Sequence, residues 1–241
     1  MSTMNPPFVA QEIDYPCSDG KPMGETPFHI RNLSNLFLTL DFWFANEEFV
    51  YVAGNMFVYY VCGDPRKHLS PDVFVVLGIP KKTTPERRCY KVWEESRGPD
   101  VAIELTSSST RDEDLDEKFR IYRDILKVRE YFLFDPEEEY LEPSLQGYRL
   151  VEGEYIRIEP VDRRLPSEVL GLHLERDGWQ LRLYNPATRK WLPTVWETQE
   201  ISQKAEAERQ RAEAERQRAE AENSRLRREL EALRLKLGEK S

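Results

Sequence analysis

Hydrophobic residues recur along the first 160 positions in two different periods. A first helix is predicted at about residues 26–44, because its apolar residues have helical spacing: Ile30, Leu33, Phe37 and Leu40. A second helix is predicted at about residues 111–127. Runs rich in Val, Ile, Tyr and Phe predict strands at 49–52, 56–62, 72–77, 101–105 and 130–134. The order of helix, strands, helix and strand indicates a mixed α/β domain.

The region that follows is predicted to be β-rich. Residues 148–151 and 155–158 flank Glu152-Gly153-Glu154, which is typical of a hairpin. Residues 179–184 and the segment around Trp191 predict one further pair of strands that would cover the domain. We therefore expect one domain over residues 1–198 and a separate unit over residues 199–241.

The last forty residues have a period of seven. Ala205-Glu-Ala-Glu-Arg-Gln-Arg211 repeats once, and leucines then follow at the 4-3-4 spacing of a coiled-coil seam: Leu226, Leu230, Leu233 and Leu237. Upstream, the same register places Arg209, Arg216 and Asn223 in the seam, which weakens it. Two interpretations stay open here, a coiled coil that binds a second copy or another protein, and a lone helix held by Glu/Arg pairs.

Composition and charge exclude several classes of protein. The chain has 241 residues and a net charge of −9, with 39% hydrophobic residues, so it has enough apolar material for a packed core. The uncharged run at residues 49–63 is too short to cross a membrane, and no secretory signal is visible at the first residues, so we expect a cytoplasmic protein. The three cysteines lack CxxC spacing and the three histidines are scattered, so a bound metal would depend mainly on carboxylates, which favours magnesium over zinc.

Two acidic residues lie at the ends of apolar strands. Glu104 follows Val101-Ala102-Ile103, a run typical of a strand buried on both faces, and Asp72 precedes another such run at residues 73–76. A buried carboxylate is costly unless it is paired or binds a metal. The two acids together suggest a shared cation, although each alone could reach solvent or a neighbouring arginine.

A lysine lies on the apolar side of the second predicted helix. At about 100° per residue, Lys118 falls inside the arc formed by Leu115, Phe119, Ile121, Tyr122, Ile125 and Leu126. Such a lysine would find a counter-charge at Glu104, and burial could make it a proton-handling group. The alternative is a lysine that extends from the edge of the apolar stripe into solvent.

These residues resemble a known family. Pro71-Asp72, then Glu104 on a core strand, then Lys118-x-x-x-Tyr122 on the next helix is similar to the PD-(D/E)XK nuclease superfamily. A closer resemblance, over about residues 12–198, is to a large bacterial branch described as restriction endonucleases and formerly as a domain of unknown function. Further matching segments are Tyr15-Pro16, residues 19–23 and Glu130-Tyr-Phe-Leu-Phe-Asp-Pro136. The resemblance implies a restriction-endonuclease-like mixed β-sheet flanked by helices, with an αβββαβ core and a long C-terminal helix.

The resemblance also implies a role for each residue. Asp72, Glu104 and the carbonyl of Leu105 would hold Mg²⁺ or Mn²⁺, and Lys118 would orient or deprotonate the attacking water. The superfamily usually places its lysine two residues after the acid, where this chain has Thr106, so Lys118 would have to act from the helix. Asp100 is an alternative acid to Asp72, and Glu25 is a possible additional one.

The resemblance thus predicts a metal-dependent endonuclease that hydrolyses phosphodiester bonds, with DNA as the expected partner and a 5′-phosphate and a 3′-hydroxyl as the expected ends. The acidic balance argues against this interpretation, because nonspecific binding to nucleic acid is mainly electrostatic. The alternative is a catalytically silent scaffold with the nuclease fold that binds protein partners through its C-terminal helix.

Overall fold

The computed structural model describes residues 13–18, 26–82, 84–107 and 110–238, with the backbone alone for residues 235–238. The chain divides into two compact units, Met1–Leu192 and Pro193–Ser241. The first unit contains three β-sheets and three helices among its described residues. The second unit contains one long helix.

The largest sheet of the first unit has six strands and carries most of its core. The strands lie in the order β1-β4-β6-β7-β8-β9, and only the β6–β7 pair is parallel. Their bounds are β1 Val50–Gly54, β4 Val73–Leu77, β6 Val101–Leu105, β7 Glu130–Phe134, β8 Leu145–Val151 and β9 Glu154–Arg157. Every residue of β6 and β7 is buried, as their apolar sequences predict.

Each face of this sheet is covered by a different helix. Leu36 and Leu40 of α1, Pro27–Trp43, pack on the face that presents Val73, Val101 and Ile103. The other face presents Phe74, Ala102 and Leu133 to Ile121 and Tyr122 of α3, the helix that spans Glu113–Leu126. Ile30, which the spacing places among the apolar residues of α1, is 52% exposed, because the buried side of the helix is formed by Asn32, Leu36, Thr39 and Leu40.

The two smaller sheets contain more strands than the sequence predicts, although some of the strands are short. A four-stranded antiparallel sheet, β10-β11-β12-β13, forms where one pair of strands was expected. Its strands are β10 Leu165–Ser167, β11 Leu172–Asp177, β12 Gln180–Asn185 and β13 Lys190–Trp191. A three-stranded sheet contains β2 Val58–Tyr59, β3 His68–Leu69 and β5 Tyr90–Lys91, so the predicted strand at residues 56–62 is only two residues long.

The helix α3 is continuous but not uniformly wound. Wide π turns at Glu113–Glu117 and Ile121–Leu126 flank one α-helical turn at Lys118–Arg120. A short helix, α2, Val92–Glu95, precedes it along the chain. The π turns alter the angular spacing of the residues, and Ile125, predicted on the buried side, is 53% exposed.

The second unit is the helix α4, Val195–Gly238. Its start is fixed by reciprocal hydrogen bonds, from the Glu197 amide to Thr194 Oγ1 and from the Thr194 amide to Glu197 Oε2, which is a capping box. Leu226, Leu230 and Leu233 are each more than half exposed. In the parts of the chain described here, we find no helix that combines the length and the apolar character needed to cross a bilayer.

Candidate active site

Glu104 is the centre of a buried polar cluster on β6. Its side chain is 1% exposed, although its strand neighbours are apolar. Tyr122 OH donates a hydrogen bond to Glu104 Oε1 at 2.6 Å, and Lys118 Nζ donates to Oε2 at 3.0 Å. Both donors come from α3, so the helix that covers this face of the sheet also holds the carboxylate in place.

Lys118 lies between two carboxylates. Its ammonium group is 3.0 Å from Glu104 and 2.9 Å from Asp114 Oδ1, one helical turn earlier on α3. Burial acts to lower the pKa of Lys118, but the charges of Glu104 and Asp114 outweigh it and raise the pKa above its usual value. Lys118 therefore stays charged at neutral pH and acts as a hydrogen-bond donor rather than as a base.

Asp72 immediately precedes β4 and meets Glu104 across the sheet. The Leu105 amide donates to Asp72 Oδ2 at 2.7 Å, and the Asp72 amide lies 3.4 Å from Glu104 Oε2. His29 Nε2, from α1, lies 2.9 Å from Asp72 Oδ1. The Asp72 side chain is 14% exposed, so the cluster is reached from solvent at this carboxylate rather than at Glu104.

The cluster holds more negative charge than positive charge. Glu104 and Asp114 are buried, Asp72 lies beside them, and Lys118 is the lysine that contacts the two buried acids. Burial raises the pKa of Glu104 to about 8, the charge of Lys118 opposes this, and Asp72 adds to it. Neither carboxylate oxygen of Asp114 accepts a hydrogen bond of good geometry from a described residue, so its 2.9 Å contact with Lys118 is an ion pair.

This imbalance fits a divalent cation. Asp72, Glu104 and the Leu105 carbonyl are oxygen donors, the type that Mg²⁺ and Mn²⁺ prefer. Glu104 Oε1 accepts one of the hydrogen bonds given above, from Tyr122, which leaves it a second lone pair for a cation. Within the described ranges, no three acidic, His or Cys side chains are grouped as a metal cage, so water or substrate oxygens would complete the coordination.

The alternative acids lie elsewhere. Asp100 is buried at the opposite end of β6. Its Oδ2 accepts a hydrogen bond from the Leu77 amide at 2.7 Å, and its Oδ1 accepts one from Arg97 Nη2 at 3.1 Å. These contacts indicate a structural role for Asp100. Glu25 lies outside the described residues. Thr106, in the usual lysine position, is buried with an Oγ1 that has no hydrogen-bond partner among the described residues.

Sequence reasoning missed two members of the cluster. Asp114 precedes Lys118 by four residues, a spacing that places the two side chains on one helical face and could have revealed the pair. His29 is separated from Asp72 by 43 residues, and no local pattern connects them. The packing of α1 against the sheet brings His29 to Asp72.

Two comparisons with known proteins found a match, and a third found none. The model of the Uma2 family, described as "Putative restriction endonuclease", matches residues 7–185. A crystal structure titled as a putative nuclease belonging to DUF820, from Anabaena variabilis, is similar at 18% identity and a TM-score of 0.47, covering 66% of this chain and 84% of that one. No curated protein matches this chain.

The mixed sheet of the first unit with its flanking helices is thus a nuclease-like fold, and the second unit is the expected long C-terminal helix, which confirms the predicted class. The chain belongs to the Uma2 family of restriction-endonuclease-like proteins, and the predicted resemblance is confirmed. Membership indicates a nuclease of the hydrolase class with a nucleic acid substrate.

Proposed function

We propose that this protein is a metal-dependent endonuclease that hydrolyses phosphodiester bonds in DNA, with Mg²⁺ or Mn²⁺ as its cofactor. The observation that carries the proposal is that Glu104 on β6 contacts both Lys118 of α3 and the backbone amide of Asp72, the residue just before β4. Asp72 and Glu104, with the carbonyl of Leu105, would hold the cation. The bound cation would polarise the phosphodiester and stabilise the charge that develops on it.

The protein's own groups have distinct tasks in this proposal. Lys118, kept charged by its two carboxylate neighbours, orients the attacking water and stabilises its developing negative charge by donating a hydrogen bond. Tyr122 OH and Lys118 fix the Glu104 side chain in one orientation, so little reorganisation is needed when the cation and substrate arrive. His29 and the Leu105 amide fix Asp72 in the same way.

A nicking assay on supercoiled plasmid tests the proposal. We expect wild-type protein to cut with Mg²⁺ or Mn²⁺ and to stop in EDTA, and we expect Glu104→Gln to lower the rate by at least about 100-fold. Asp100→Asn is the matched control, because Asp100 is a second buried carboxylate, immediately before the same strand, and lies outside the cluster. Intact plasmid and RNA after incubation of folded wild-type protein with either metal would refute the proposal.

We further propose that the leucines of α4 pair with those of a second copy in a coiled coil. Leu226, Leu230 and Leu233 are exposed along one heptad seam, and isolated pairs of charges on the same helix, such as Arg225 with Glu229, stabilise it only weakly. Sedimentation should give a dimer for the full chain and a monomer when these three leucines are replaced by serine. Equal masses for the two proteins would contradict this assembly.

A further inference from the structure

A cavity beside β8 collects positive charge in an otherwise acidic chain. Its volume is about 460 Å³, and Arg157, Arg163 and Arg176 line it over an apolar floor that includes Leu145 and Leu165. Glu159 is the one acidic residue among the described lining residues. Even when Glu138, the ion-pair partner of Arg176, is counted with Glu159, the cavity keeps an excess of one positive charge, whereas the whole chain has a net charge of −9.

The arginines of this cavity have N–H groups that donate no hydrogen bond to a described residue. Arg157 and Arg163 are exposed, and neither guanidinium group makes a hydrogen bond or an ion pair with another described residue. Arg176 pairs with Glu138 through Nη1, but its buried Nε has no hydrogen-bond partner in the described part of the chain. An arginine offers five N–H donors in a fork that matches the oxygens of a phosphate.

The cavity and the candidate active site share one end of the large sheet. Glu104, Leu133 and Gln146 lie side by side on β6, β7 and β8, and Gln146 lines the cavity. Two strand spacings separate Glu104 from Gln146, which is about 10 Å between their Cα atoms. That distance reaches the near side of the cavity and is about three times the 3.4 Å rise of one nucleotide along a strand, and Arg157 lies one strand further, on β9.

We propose that the arginine cavity binds a backbone phosphate of the nucleic acid strand that is cut at Asp72 and Glu104, a few nucleotides from the scissile bond. This inference rests on the proposed nuclease function, and it adds a binding site for the phosphodiester backbone. It also accounts for how an acidic protein holds a polyanion, because binding depends on the local charge where the strand lies.

The test compares two double variants that remove the same charge. Arg157→Gln with Arg163→Asn removes two lining arginines, and asparagine tolerates the positive φ of +68° at position 163. Arg189→Asn with Lys190→Gln is the matched control, because Arg189 also has a positive φ, of +57°, and both residues are exposed and lie outside the cavity. Binding of fluorescent duplex and single-stranded DNA is measured by anisotropy in EDTA, over a range of salt concentrations, so that no cleavage occurs.

We expect the cavity variant to raise the Kd about tenfold and to reduce the slope of log K against log salt by about 0.9 on duplex, or about 0.7 on single strands, for one lost phosphate contact. The control variant should bind as the wild type does. Equal losses in the two variants would overturn the inference, as would an unchanged slope in the cavity variant or no binding by the wild type. Cavity-dependent binding without cleavage in Mg²⁺ would refute the nuclease function and leave the phosphate site intact.

Discussion

Lys118 and Glu104 form an ion pair of 3.0 Å in which the two side chains are only 9% and 1% exposed. Paired charges are tolerated at such depth only when each has further partners. Glu104 has Tyr122, and Lys118 has Asp114. Two buried carboxylates therefore share one lysine at this position.

Removing the lysine should destabilise the metal-free protein strongly. In Lys118→Met, Glu104 and Asp114 lose their buried counter-charge, and we expect the free energy of unfolding to fall by about 3–5 kcal/mol in EDTA. Urea denaturation above about pH 8, where Glu104 is ionised, gives this value. Arg120→Gln is the control on the same helix, since its ion pair with Asp116 is exposed and should be worth less than about 1 kcal/mol. Similar losses in both variants would contradict the assigned role of Lys118.

The buried acids at the two ends of β6, Asp100 just before the strand and Glu104 within it, should have different effects on stability and on activity. Asp100→Asn weakens contacts with the Leu77 amide and Arg97, so we expect a loss of stability with metal-dependent cleavage retained by the folded fraction. Glu104→Gln should lose cleavage under conditions where circular dichroism shows it is folded. Loss of cleavage in folded Asp100→Asn would contradict a site at Glu104 and would indicate an active site at the other end of the strand.

The stability of the metal-free protein should depend on pH through Glu104. Its pKa is raised from 4.5 to about 8 in the folded protein, so the folded state holds this proton more tightly than the unfolded state does. The stabilisation is complete below pH 4.5 and is lost as the pH rises to about 8. We would measure the free energy of unfolding of wild type and Glu104→Gln in EDTA, at intervals from pH 5 to about 8.5. The stability of the wild type relative to that of Glu104→Gln should fall as the pH rises. A difference that stays constant over this range would contradict the raised pKa of Glu104 in the folded protein.

Much of the fold could be predicted from the sequence because its signals are local. The apolar runs of β4, β6 and β7 and the helical spacing of α1 are patterns within single segments. The strands β10 and β11 were missed: Leu165-Pro166-Ser167 is short and contains proline, and Leu172–Asp177 ends in charged residues. Both are stabilised by pairing with neighbouring strands, which no local pattern reveals.

Part of the candidate site could be predicted from the sequence, because a charged residue inside an apolar segment needs a partner when it is buried. Glu104 and Lys118 stand out as charged residues in apolar surroundings, and the structure places them in contact. The contact between His29 and Asp72 depends on tertiary packing, and the arginine cavity combines residues from β9, the following loop and β11. The wide turns of α3 could not be read from a period of 3.6 residues, and they expose Ile125.

Calorimetric titration of the folded protein with Mn²⁺ tests the central claim most directly, because it detects the cation without requiring a substrate. Wild type and Asp100→Asn should bind Mn²⁺, whereas Asp72→Asn and Glu104→Gln should bind it at least about tenfold more weakly, since each loses a charged oxygen donor. Equal affinity in all four proteins, or no binding by the wild type, would contradict a metal site at Asp72 and Glu104.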